Sequence, residues 1–167
     1  MNNAPVFESL VDCRSELQVI KSFLIGLGRE SNPYEYMNRY AVIRASGTIE
    51  TGFKTIIADR VDEGSHAQVR AFIKRKIRDS SANPKLGVIE NMLSEFDDRW
   101  RTRFDELMAF EDKLGVQSSL KKLVDARNSF AHGGSTNLEL DETIKCFEHG
   151  VLVLEILDRI VNETGAE

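Results

Sequence analysis

Along most of the chain apolar residues recur at steps of three and four, and no segment sustains the two-residue alternation of a strand. In "ESLVDCRSELQVIKSFLIGL", Leu10, Cys13, Leu17, Ile20, Leu24 and Leu27 draw one stripe. That stripe predicts a helix over about residues 5–26, with Gly26 and Gly28 offering a stop. In "SNP", Asn32 is placed as an N-cap and Pro33 at the first helical position, where a missing N–H costs nothing. The second predicted helix, roughly 33–62, carries Tyr34, Met37, Tyr40, Ile43, Ile49, Phe53, Ile56 and Ile57 on its stripe. Its middle, "RASGTIETG", is rich in small residues that lower helix propensity, which points to close approach of another helix or of a ligand.

"DEGSH" breaks the pattern, and Ser65 is placed to cap a basic third helix reaching about Asp79. "SSANP" reads as a turn. Beyond it Val88, Ile89, Met92, Phe96, Trp100, Phe104, Leu107 and Met108 predict one fourth helix of about seven turns. The loop "EDKLGVQSS" leads to a helix capped at Ser118, and Asp141 is placed to cap a last helix that turns Ile144, Phe147, Val151, Leu154, Leu157 and Val161 inward. The expectation is an all-α antiparallel bundle of about five to six helices joined by short loops, forming one domain over residues 1–167. An apolar fraction of 41%, a charged fraction of 29% and only three prolines fit that class and argue against disorder or a turn-rich β-sandwich.

The net charge of −5 counts against a generally basic nucleic-acid binder. Locally, "VRAFIKRKIR" packs Arg70, Lys74, Arg75, Lys76 and Arg78 together. Such a run is most often a solvated helix face, and it is also able to track a phosphate backbone. Cys13 and Cys146 lack disulfide-framework or metal-ligand spacing and read as small apolar residues in a reducing compartment. The N-terminal segment lacks a signal peptide's basic and apolar regions, and "VLVLEIL" is too short to cross a bilayer. A cytoplasmic protein without cofactor, metal or membrane partner is expected. His66 and His149 read as surface or cap residues, Trp100 and Phe104 as core, and the carboxylates of "ENMLSEFDDRW" as a solvated face. A glycoside hydrolase or metal enzyme therefore has little support.

The chemistry concentrates in "DARNSFAHGG". Leu120, Leu123, Val124 and Ala131 make the inward stripe of this helix, and Arg127 takes the stripe's next position. An uncompensated guanidinium there is costly, so it must meet a carboxylate, a polar cleft or a second chain. Asn128 and His132 share a face, and Gly133 and Gly134 end the helix beside the imidazole. An imidazole can move protons near neutrality, an arginine fork can hold a phosphodiester, and an amide can orient either. Together they suit RNA cleavage by the neighbouring 2′-hydroxyl, which spares DNA. The spacing alone favours an Arg127 paired with Glu50 or Asp125 and a His132 placed at a helix C-terminus by the macrodipole. An Arg127 neutralised inside its own chain, with His132 walled off from any groove, would contradict the cleavage reading.

"RNSFAHG" resembles the Arg-x4-His motif of the HEPN superfamily of helical ribonucleases, with a similar upstream "LVDARN" and a final amphipathic helix. "RASGTIETGFKTII" looks like the second-helix segment of its RiboL-PSP-HEPN branch, where an acidic residue followed by a basic one faces the site. The resemblance runs from about residue 33 to 162, with residues 124–134 its specific part. It implies a homodimer whose motif helices meet to build one composite cleft. Arg127 would bind the scissile phosphate, His132 would act as acid or base, Asn128 would support them and Glu50 would orient Arg127. It further implies RNA, such as tRNA or mRNA, as substrate, a role as toxin or phage-defence effector or in RNA processing, and a separately encoded antitoxin or regulator as a partner. The competing reading is a non-catalytic module of the same fold that binds RNA, a nucleotide or a protein.

Overall fold

Two helices whose middles carry glycine and other small residues lie against each other at the centre of the molecule. In the computed structural model, which describes residues 1–27, 31–134 and 138–163, these are α2 (Asn32–Asp62) and α7 (Leu140–Asn162). A Cβ placed on Gly52 would stand 2.5 Å from Leu154 Cδ1, and one on Gly150 would stand 2.7 Å from Ile49 Cδ1. The backbones therefore approach where only a hydrogen fits. Ala45 and Ser46, on the same stretch of α2, are fully buried, whereas Gly47 faces open space. The small-residue segment thus does bring a helix close, and Gly52 is the glycine that requires it.

Around this pair stand α1 (Ala4–Leu24), α3 (Ala67–Ile73) prolonged by a π-helical turn over Lys74–Arg78, α4 (Leu86–Phe96), α5 (Asp98–Met108) and α6 (Lys113–Ala131). Among the described residues there are seven α-helices and no strand. Side-chain pairs fix the directions. Glu16 of α1 meets Arg44 of α2 while Val6 lies beside Gly52, so these sequence neighbours run antiparallel. Ser119 with His149 and Lys122 with Glu142 show the same for α6 and α7. The central pair is parallel: Asn38, Ile49 and Arg60 of α2 meet Leu138, Gly150 and Val161 in rising order.

Where elements begin differs from the sequence pattern, and each difference has a side chain behind it. The expected fourth helix is two, because Asp97 leaves helical geometry at φ −158° and its carboxylate accepts the Arg99 N–H at 2.8 Å as the N-cap of α5. Asp112, not Ser118, caps the motif helix, accepting the Gly115 N–H at 3.0 Å. The N-caps of α2, α3 and α7 are Ser31, His66 and Glu139, so Asn32 and Pro33 occupy the first turn of α2, and Ser65 Oγ donates instead to the Val61 carbonyl. At the N-terminus Asn3 caps α1, and the buried Asp158 of α7 accepts the backbone N–H groups of Asn2 and Asn3, the latter at 3.0 Å.

His149 is no surface residue: half-buried, its Nδ1 shares a 2.8 Å hydrogen bond with Ser119 Oγ and ties α7 to α6. Glu90, expected on a solvated face, is mostly covered and lies 2.9 Å from Lys113 and 3.5 Å from Arg101. Phe104 is fully buried and Trp100 packs against the core. Cys13 and Cys146 are buried free thiols, both pushed above the ordinary thiol value by burial. Among the described residues no helix is long and apolar enough to cross a membrane.

Candidate functional site

The motif helix α6 turns Val116, Leu120, Leu123 and Val124 into the bundle, and Arg127 extends that stripe by one more turn. Its side chain is about three-quarters covered and reaches α2, where one terminal nitrogen donates to Glu50 and the other to Asn83 Oδ1. Glu50 accepts a second cation from its own helix: Lys54 Nζ donates to it at 2.6 Å and also to the Ser80 carbonyl. Burial pushes the Glu50 carboxyl upward, but hydrogen bonds and charges from Lys54 and Arg127 outweigh it and hold the group below the ordinary carboxylate value. Asp125, the other conceivable partner of Arg127, instead binds Lys121 and, at 3.1 Å, Lys85.

This cluster sums two cations and one anion in a mostly covered place. Its excess of positive charge makes it receptive to an anion. Glu50 and Asn83 take only part of the guanidinium's donor capacity, and the rest of the planar fork remains for a ligand.

His132 lies elsewhere. It is the C-cap of α6, with φ −101° and ψ 16°, and its ring is exposed. The chain then turns through a Schellman motif: Gly133 at φ +74° donates to Phe130 O at 3.0 Å, and Gly134 donates to Ser129 O at 2.9 Å. A Cβ on Gly134 would meet Ser129 Oγ at 2.5 Å, so the second glycine is sterically required as well. Neither the His132 ring nor the Asn128 side chain forms a hydrogen bond or ion pair with another described residue. Five helical residues separate Arg127 from His132 by roughly 140°, so the guanidinium points inward while the imidazole points out. The structure joins Arg127 with Glu50 and does not join either with His132. Internal neutralisation of Arg127 is therefore present, and walling-off of His132 is not.

Ala131, expected on the buried stripe, is exposed because α6 ends past the cover of its neighbours. Next to this end Arg39 of α2 lies 5.4 Å from the centre of the Phe130 ring, and Asn38 Nδ2 donates to Leu138 O at 2.8 Å. Asn83 and Ser80 belong to the turn "SSANP", which reads as an ordinary connection; the one signal for them is a polar side chain held in extended chain just before Pro84. Lys54 was visible as the basic residue one turn after Glu50. Among the described residues no group of three or more His, Cys, Asp and Glu is placed to hold a metal ion.

Seven helices and no strand among the described residues fit the all-α fold that the HEPN resemblance implies. Residues 8–163 match the model of one branch, and the chain belongs to the RiboL-PSP-HEPN family. The match takes in α1, beyond the span where the sequence resemblance begins. Membership points to an RNase-like or nucleotide-binding module, HEPN domains often being ribonucleases. No curated protein and no solved structure matches the chain.

Proposed function

We propose that this protein is a metal-independent endoribonuclease that works as a homodimer, acting as a toxin or phage-defence effector. The observation that supports the reading is the net-positive Glu50–Lys54–Arg127 cluster in a HEPN domain, which we read as the place for a phosphodiester. With Arg127 facing in and His132 facing out, one subunit does not close a cleft. Two copies meeting at their α6 ends would, and the uncovered Ala131, with exposed Tyr36 and Ile43 on nearby α2, supplies apolar surface for that contact.

In the composite cleft one His132 takes the proton of a ribose 2′-hydroxyl, whose oxygen attacks the adjacent phosphorus. The P–O5′ bond breaks, and the partner's His132 returns a proton to O5′. The products are a 2′,3′-cyclic phosphate and a 5′-hydroxyl. Arg127, oriented by Glu50, neutralises the charge that builds on the phosphoryl oxygens, and Asn128 orients the imidazole or the phosphate.

The test is incubation with single-stranded RNA or tRNA in EDTA. Arg127→Ala should lower cleavage by roughly 10²–10³-fold and His132→Ala by roughly 10²–10⁴-fold. Equal activity in all three proteins, or none across varied substrates, would refute the reading. The second reading, a non-catalytic RNA-, nucleotide- or protein-binding module, draws on Arg127 already being satisfied within its own chain. It predicts tight RNA binding without cleavage.

A further inference from the structure

Most lysines and arginines among the described residues are matched to a carboxylate. Among the described residues the lysines and arginines that meet none are Arg70, Lys74, Arg75, Lys76 and Lys145. All but Lys145 stand on α3 and the π turn that continues it. In a chain of net charge −5, carboxylates are in excess, so this concentration of unmatched positive charge does not follow from composition.

The arm is held only along one edge. Ile73 and Ile77 are buried, whereas residues 67–72 and 74–76 are exposed. Phe72, 55% exposed, stands among the cations. The π turn, closed by Asp79 N–H to Lys74 O at 2.9 Å, spreads consecutive basic residues around a wider circumference than an α-helix would. The chain leaving the arm is fastened to the candidate site twice, through Lys54 on the Ser80 carbonyl and through Arg127 on Asn83. From Lys76 to Asn83 the backbone can span at most about 25 Å.

We propose that α3 with its π turn is the docking surface for a single RNA strand, its phosphates gripped by Arg70, Lys74, Arg75 and Lys76 and one base stacked on Phe72, leading the strand to Arg127. The leading-in role rests on the nuclease reading. Cations interleaved with an exposed aromatic suit a strand that offers alternating phosphates and bases. They are splayed round a narrow ridge, whereas a standard protein interface needs about 800 Å² of matched surface from each partner.

The probe is a fluorescent 2′-O-methyl RNA of roughly 12 nucleotides, which 2′-hydroxyl chemistry cannot cleave, with affinity followed against salt concentration. For single strands each phosphate contact contributes about 0.7 to the logarithmic salt slope. Lys74→Gln/Arg75→Gln/Lys76→Gln should therefore flatten the slope by about 2 and weaken binding roughly 100-fold near 0.1 M salt. The charge-preserving Lys74→Arg/Arg75→Lys/Lys76→Arg should bind as the wild type does, and Phe72→Ala should lose roughly tenfold at unchanged slope. Unchanged affinity and slope in the neutralised protein, or no binding by the wild type, would overturn the proposal. Arm-dependent binding by a protein that cuts no ordinary RNA would sink the nuclease reading and leave the arm standing. Cleavage whose kcat/KM ignores the neutralised arm would do the reverse.

Discussion

Glu50 is the residue on which the candidate site turns. It balances two cations that the bundle otherwise covers, one of them Lys54 with a side chain only 7% exposed. Glu50→Gln keeps the shape and removes the charge, and should cost about 2 kcal/mol in chemical denaturation, the scale of a hydrogen bond to a charged group. Because its folded-state pKa is depressed, Glu50 contributes its full stabilisation above the unfolded carboxyl range, about pH 4.3, and loses it as pH falls through the lower folded value. The gap between wild type and Glu50→Gln should thus be constant near neutrality and shrink below about pH 4. A gap that stays constant into acid would show that Glu50 acts by shape alone. Periodicity showed that an arginine on an apolar stripe demands an anion but left Glu50 and Asp125 both open, and it was the family resemblance that singled out Glu50. Asn83 was not legible, because a polar residue before a proline looks the same whether it faces water or a guanidinium.

At the scale of elements, the α2–α7 contact and the end of α6 each depend on a glycine. Gly52→Ala would push a methyl into Leu154 and should cost about 1–3 kcal/mol, read as a lowered midpoint of thermal unfolding. Gly133→Ala forces an L-residue to φ +74° and should cost about 1–2 kcal/mol. If cleavage depends on where the Schellman turn holds His132, activity should fall in Gly133→Ala even at temperatures where it stays folded. The ends of elements were the least legible part of the sequence. The stripe stays in phase across the break at Asp97, since Phe96 and Trp100 keep a spacing of four, so periodicity alone joins α4 to α5. The cap carboxylates of Asp97 and Asp112 are ordinary surface acids until their backbone partners are known.

For the whole molecule, the all-α class was plain from the chain, whereas the parallel α2–α7 core was not, because pairing between helices so distant in sequence leaves no mark on local pattern. A dimer built as proposed has a consequence that mixing can check. Wild type unfolded and refolded with an excess of His132→Ala should lose more cleavage than the dilution of its own subunits accounts for, because a mixed dimer holds one intact imidazole where the reaction uses two. Cleavage that falls only in proportion to the diluted wild-type subunits would indicate that each subunit cuts alone. Sedimentation of the wild type should show a dimer that Ile43→Asp, on the exposed apolar face, drives toward monomer.

The wide turn at Lys74–Arg78 holds one residue more than a regular coil would. Deleting Arg75 should let the backbone heal into ordinary i→i+4 bonding at little local cost, yet it would shorten the tether that sets Ser80 and Asn83 against their cationic partners. The extra residue therefore acts as a length gauge: the helix tolerates its removal, and the misplaced loop registers it as an unseated Arg127.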